Sequence, residues 1–153
     1  MPTAKRTRTV SASPEQVWEV IADPHHMPRW WPGVMRMEDV GEDHWTQVFQ
    51  TKKGRPVRVD YHLIKSDPPG PGADAPGVRS WEQEIEGTPF ERVLAESITE
   101  LVLEPLQAGT QITLIQRQKL RGYSRTGGFL LRRATRERLD DALKGLDGIV
   151  TPR

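Results

Sequence analysis

One apolar helical stripe near the C-terminal end has to serve a whole run of strands, and that imbalance limits the folds open to this chain. From roughly Thr126 onward, Phe129, Leu131, Ala134, Leu139, Ala142, Leu143 and Leu146 recur at helical spacing, with Arg132, Arg133, Arg136 and Arg138 mostly off the stripe. Upstream the period is two. Trp45, Gln47 and Phe49 alternate with Thr46, Val48 and Gln50, and Val57, Val59, Tyr61 and Leu63 alternate with Arg58, Asp60 and His62. Trp81, Gln83 and Ile85 then share one parity, as do Val93, Ala95, Ser97, Leu101 and Leu103, while glutamates take most of the opposite positions. Thr110 to Leu120 reads as the last strand, with Ile112 and Leu114 inward and the register near Ile115 left open. One helix covers so large a sheet only if the sheet curls around it, and the curl leaves a hollow between them.

The N-terminal part supplies the remaining elements. An extended stretch around Thr7 to Ala12 precedes Ser13, a good N-cap, and Pro14, which suits the first helical position. Val17, Trp18 and Ile21 form a short apolar stripe that Asp23-Pro24 ends. A second helical turn closes at Trp30-Trp31-Pro32. Lys53 to Pro56 and Gln107-Ala108-Gly109 read as turns, and Asp67 to Gly77 as a loop rich in proline and glycine.

Composition excludes several classes. The 153 residues fit a single domain spanning 1–153, and 22 basic against 21 acidic residues give no overall attraction for nucleic acid or anionic membrane. There is no cysteine, so disulfides, thiolate metal sites and a cysteine nucleophile are absent. No segment reaches the roughly 20 apolar residues that span a bilayer, and Met1 to Arg8 has no apolar run behind its basic residues, so a cytoplasmic protein is expected. No phosphate-binding glycine loop, His-Glu-x-x-His pair or Gly-x-Ser-x-Gly elbow occurs.

Five inward positions carry polar groups: Gln47, Tyr61, Gln83, Gln116 and Gln118. A dry core would have to satisfy each of them with a hydrogen bond, whereas a hollow holding water or a polar-edged ligand would do so directly. The alternative is that twist or a bulge turns some outward. Trp30, Trp31, Trp45, Phe49, Trp81 and Phe129 are expected as apolar walls, with plain core packing an equal alternative for each ring. Tyr61 is the one catalytic candidate, because a phenol can donate to a carbonyl or move a proton; a packed tyrosine without that duty is the competing reading. His25 and His26, about 100° apart if helical, do not share a face with Asp23 for a metal, and His62 falls on the outward parity. No metal and no cofactor are expected. The helix arginines read as a solvated face rather than a phosphate site.

With Ser13-Pro14-Glu15-Gln16-Val17-Trp18 opening the first helix and Trp30-Trp31-Pro32 closing the second, the chain resembles the START/Bet v 1-like (SRPBCC) superfamily, in its polyketide cyclase/dehydratase-like branch. Ala108-Gly109-Thr110 and the stretch from Arg138-Leu139 to Leu143-Lys144-Gly145-Leu146 extend the resemblance over nearly the whole chain. It implies an α+β helix-grip fold, with a curved antiparallel sheet of about six or seven strands wrapped around the long C-terminal helix. It also implies an elongated apolar cavity that takes a small hydrophobic or aromatic molecule, lipids included. Two alternatives follow from the same superfamily: a polyketide cyclase/dehydratase-like enzyme, and a chaperone-activator-like interaction protein. Oxygenase members hold iron with two histidines and a carboxylate, a set this sequence does not match. Fold alone does not choose among these functions, and the oligomeric state stays open.

Overall fold

Ser13 starts the first helix through a reciprocal cap: its Oγ accepts from the Gln16 backbone N–H at 3.2 Å, and its own N–H donates to Gln16 Oε1 at 2.9 Å. The computed structural model describes residues 3–70, 75–122 and 125–151, without side-chain placement for 125–127 and 129. Strand β1 (Thr3–Val10) leads into α1 (Pro14–Ile21), then a 3-10 turn (Pro24–His26) that runs into α2 (Met27–Trp30). Six strands follow: β2 (Val34–Glu38), β3 (His44–Gln50), β4 (Pro56–Asp67), β5 (Gly77–Gln83), β6 (Leu94–Leu106) and β7 (Gly109–Leu120). A 3-10 turn (Pro89–Arg92) precedes β6, and α3 (Arg125–Val150) ends the order.

All pairings are antiparallel in one curved sheet ordered β1-β7-β6-β5-β4-β3-β2. Because β1 pairs with β7 and β2 lies at the far edge, α1 and α2 carry the chain from one edge of the sheet to the other. The core forms where α3 meets the inner face. Leu139, Ala142, Leu143 and Leu146 of α3 pack with Leu101, Leu103, Ile112 and Leu114 of β6 and β7, all at most 1% exposed, and with Val17, Ile21, Met27 and Trp30. At the rim, Arg6 pairs with Asp140 at 3.3 Å and Arg8 with Asp147 at 2.8 Å, strapping α3 along β1. No described helix is long and apolar enough to cross a membrane.

Four details settle, correct or complete the sequence reading. Ile115 pairs in unbroken register with Glu100 and Lys5, so it sits half-buried on the outer face and β7 carries no bulge there. The irregularity lies in β6, where the register shifts between Leu94 and Glu96. The extra residue reverses parity, which turns Leu94 inward and leaves Val93 42% exposed. On α3, Thr135 is buried in place of the neighbouring Ala134, which is exposed. The short edge strand β2 completes the sheet at seven.

Gly145 makes the closest helix approach possible: a Cβ there would lie 2.7 Å from the Trp30 carbonyl oxygen and 3.0 Å from Trp30 Cα. Gly148, on the same helix, has nothing within 4 Å of such an atom. Gly145→Ala should therefore cost about 1–3 kcal/mol as α2 and α3 are forced apart. Gly148→Ala should be neutral or add up to about 1 kcal/mol through helix propensity. Urea midpoints measure both, and a Gly145→Ala protein as stable as the parent would contradict this packing.

Candidate binding cavity

The period-two face of β4 sets one wall of a half-open hollow. Val57, Val59 and Tyr61 point into a cavity of about 540 Å³, joined by Phe49 and Gln50 from β3 and Gln83 from β5. Leu94, turned inward by the β6 bulge, and Phe90 from the 3-10 turn add apolar surface, with Pro32 and Gly33 beyond α2. Gln118 of β7 and Arg138 of α3 close the opposite side. The lining is thus apolar over most of its extent, with amides, one phenol and one guanidinium as its polar groups.

The four tryptophans expected as walls lie elsewhere. Trp30, Trp31, Trp45 and Trp81 are 3%, 6%, 1% and 2% exposed and pack on one another in the core rather than lining the hollow. Trp30 meets Trp31 edge-on with centroids 5.5 Å apart, and Trp81 meets both Trp31 and Trp45 in the same manner at 6.3 and 6.1 Å. The chain of rings ends on Tyr61, which stacks against Trp45 at 6.3 Å and 17°, as their cross-strand pairing dictates. Tyr61 therefore joins an aromatic floor to the open cavity.

The inward polar set divides in the same way. Tyr61, Gln83 and Gln118 reach the cavity. Gln47 and Gln116 do not: Gln47 Oε1 accepts from Trp45 Nε1 at 3.2 Å, and Gln116 Nε2 donates to Thr99 Oγ1 at 3.2 Å. Gln116 Oε1 and Trp30 Nε1 stay buried with no protein partner among the described residues. Gln118 Oε1 accepts a long bond from Thr135 Oγ1, 3.5 Å away. The Phe129 side chain lies outside the described ones.

Two arginines complete the electrostatics, and sequence reading passed over both as site residues. Arg79, 5% exposed, lies over the Trp45 ring at 5.6 Å and donates to Ser66 Oγ at 2.9 Å. Burial pulls its guanidinium below the usual arginine range, and the Asp23 carboxylate opposes that pull. Its parity with Trp81 and Gln83 is the signal that would have placed it inward. Arg138 belongs to the cavity lining although it stands off the apolar stripe of α3. Burial pushes the Tyr61 phenol well above its ordinary value, and the Arg138 charge acts in the other direction.

The histidines are elsewhere. His25 Nδ1 lies 2.9 Å from Asp23 Oδ1 on an exposed turn, and His62 sits on the outer face between Glu82 and Glu84 at 3.5 and 3.4 Å. Among the described residues no group of three or more His, Cys, Asp or Glu is placed to hold a metal ion.

The family model described as polyketide cyclase/dehydrase and lipid transport matches residues 1–148. The chain belongs to that family. A similar fold occurs in a protein from Chromobacterium violaceum, 18% identical with a TM-score of 0.73 over 99% of each chain. The di-domain ARO/CYC BexL from the BE-7585A biosynthetic pathway is 22% identical, TM-score 0.73, over 97% of this chain and 46% of that one. A START superfamily protein from Mycobacterium smegmatis is 13% identical, TM-score 0.69, over 97% and 96% of the two chains. At these identities the solved structures establish the fold. No curated protein matches the sequence.

The half-buried Tyr61 phenol gives a direct test of the cavity's electrostatics. Tyr61 should stay protonated above about 10, the ordinary tyrosine value, so phenolate absorbance should show a late phase that Tyr61→Phe removes. Because the folded state holds this proton more tightly, folding should weaken as pH rises beyond that value, where the unfolded chain ionises first. Tyr61 titrating at the ordinary value would place its hydroxyl in bulk water.

Proposed function

We propose that the protein binds a small hydrophobic or aromatic molecule in the hollow between the sheet and α3. The observation that supports this most is the lining itself: a half-open, largely apolar hollow with Tyr61, Gln83 and Gln118 among its polar points, of a size common among ligand pockets. Phe49, Val57, Val59, Phe90 and Leu94 would supply burial. A ligand covering roughly 200 Å² of apolar surface gains about 5 kcal/mol before the cost of association, at about 25 cal/mol per Å². Tyr61, Gln83 and Gln118 would orient its polar edge. Trp30, Trp31, Trp45 and Trp81 act one layer down, holding the floor on which Tyr61 stands.

A cyclase/dehydratase-like activity is the second reading, and the neutral phenol of Tyr61 facing the same space as Arg138 favours it. A general acid needs a partner base for most such steps, and among the described residues neither a carboxylate nor a histidine lines the cavity. Binding therefore leads. Location in the cytoplasm accords with a chain lacking a membrane-crossing helix among its described residues.

Titration with flat aromatic compounds and fatty acids, read by tryptophan emission, tests the proposal, since Trp45 lies directly against Tyr61. A saturable change is expected, and Tyr61→Phe should weaken a carbonyl-bearing ligand by about 0.5–1.5 kcal/mol, the net worth of one neutral hydrogen bond. Silence across chemically diverse ligands would contradict it. A fall in turnover of roughly 10²-fold with unchanged affinity would favour the enzyme instead.

A further inference from the structure

The cavity's polar groups are unbalanced in sign. Among the described residues its lining carries one permanent positive charge, Arg138, and no carboxylate. The amide of Gln118 already has its oxygen turned to the Thr135 hydroxyl, which leaves its N–H groups for another partner. The Tyr61 hydroxyl has no hydrogen-bond partner among the described residues, and its raised pKa keeps a proton on it to donate.

Arg138 itself is not neutralised. Two of its acidic neighbours on α3 are engaged elsewhere, Glu137 facing Arg133 at 3.9 Å and Asp140 pairing with Arg6 across to β1, and Asp141, one turn on, is exposed and makes no ion pair with it. Among the described residues no acid lies within ion-pair distance of Arg138, whereas Arg6, Arg8, Arg36 and Arg58 each have one. A guanidinium at the edge of a largely apolar hollow, beside the Tyr61 hydroxyl and the Gln118 amide N–H groups and with no carboxylate among the described lining residues, matches a group that only accepts.

Resting on the cavity as the binding site, we propose that it selects aromatic molecules bearing an anionic oxygen, a carboxylate or an ionised enol, and that Arg138 is the residue that recognises the charge. The aromatic body lies against Val57, Val59 and Leu94. The charged oxygen meets the Arg138 guanidinium, with the Tyr61 hydroxyl and the Gln118 amide as further donors.

The test compares 2-naphthoate with its neutral counterpart 2-naphthamide on the full chain by calorimetry at neutral pH and low salt. Naphthoate should bind about tenfold more tightly, as expected where a charge-assisted pair replaces a neutral contact. Arg138→Gln should bring the two affinities to within about twofold of each other, and Arg138→Lys should keep part of the difference. Arg136→Gln, on the exposed side of the same helix, should keep all of it, which separates a specific contact from general surface charge. Equal affinities in the parent protein, or a preference that survives Arg138→Gln or is lost equally in Arg136→Gln, would overturn the assignment. If naphthamide binds and naphthoate gains nothing, the anion selectivity fails and the cavity reading stands. If neither compound binds, both fail.

Discussion

Burial of Leu139, Ala142, Leu143 and Leu146 against the inner face of the sheet is the contact on which this structure depends. Four side chains exposed by at most 1% hold the C-terminal half of α3 in place, and truncating such a leucine costs about 2–5 kcal/mol in proteins generally. Gly145 sets how near the helix comes to α2, because backbone atoms of Trp30 occupy the space a side chain would need. Toward its N-terminal half the helix is less covered: Leu131 is half-buried, and Ala134 and Arg138 are exposed. Among the described residues the sheet and helix leave a hollow beside Arg138. Tight packing at one end of α3 and incomplete packing at the other are two consequences of one stripe that is too short for the sheet it serves.

The interior is divided by chemistry as well as by packing. The closed part is an aromatic column running from Trp30 through Trp31, Trp81 and Trp45 to Tyr61. Arg79 sits against this column with one hydroxyl partner and a ring face, an arrangement that tolerates a buried cation because the guanidinium is weakly hydrated and flat. The open part carries aliphatic walls, amides and Arg138. Tyr61 belongs to both, and anything that touches it from the cavity presses on the column behind it.

Much of the fold was legible in the sequence because two periods do not mix: alternation through the middle of the chain and helical spacing after it specify a sheet and a covering helix. Ser13 and the prolines marked the short helices. The bulge in β6 was not legible, since one inserted residue leaves composition unchanged and shows only as a parity break between Leu94 and Ser97. Strand β2 also escaped, being five residues at a sheet edge with a register irregularity between Val34 and Arg36. At the cavity, parity alone pointed Phe49, Tyr61, Gln83 and Gln118 inward, and all four line the hollow. It could not say whether an inward tryptophan faces a void or another ring, because that depends on how four rings from separate elements stack. Arg138 was missed for a different reason: off-stripe residues on a helix count as solvated, yet a long side chain at the border of a stripe still reaches a hollow beside it.

The central claim is that the space between β4 and α3 admits a small molecule, and methyl-resolved nuclear magnetic resonance during titration with 2-naphthamide tests it most directly. The methyl signals of Val57, Val59 and Leu94 should shift together and saturate, while those of Ile64 and Leu106, 49% and 43% exposed and absent from the cavity lining, should stay in place. Shifts confined to Ile64 and Leu106, or no movement of the lining methyls at concentrations that saturate comparable pockets, would contradict the account.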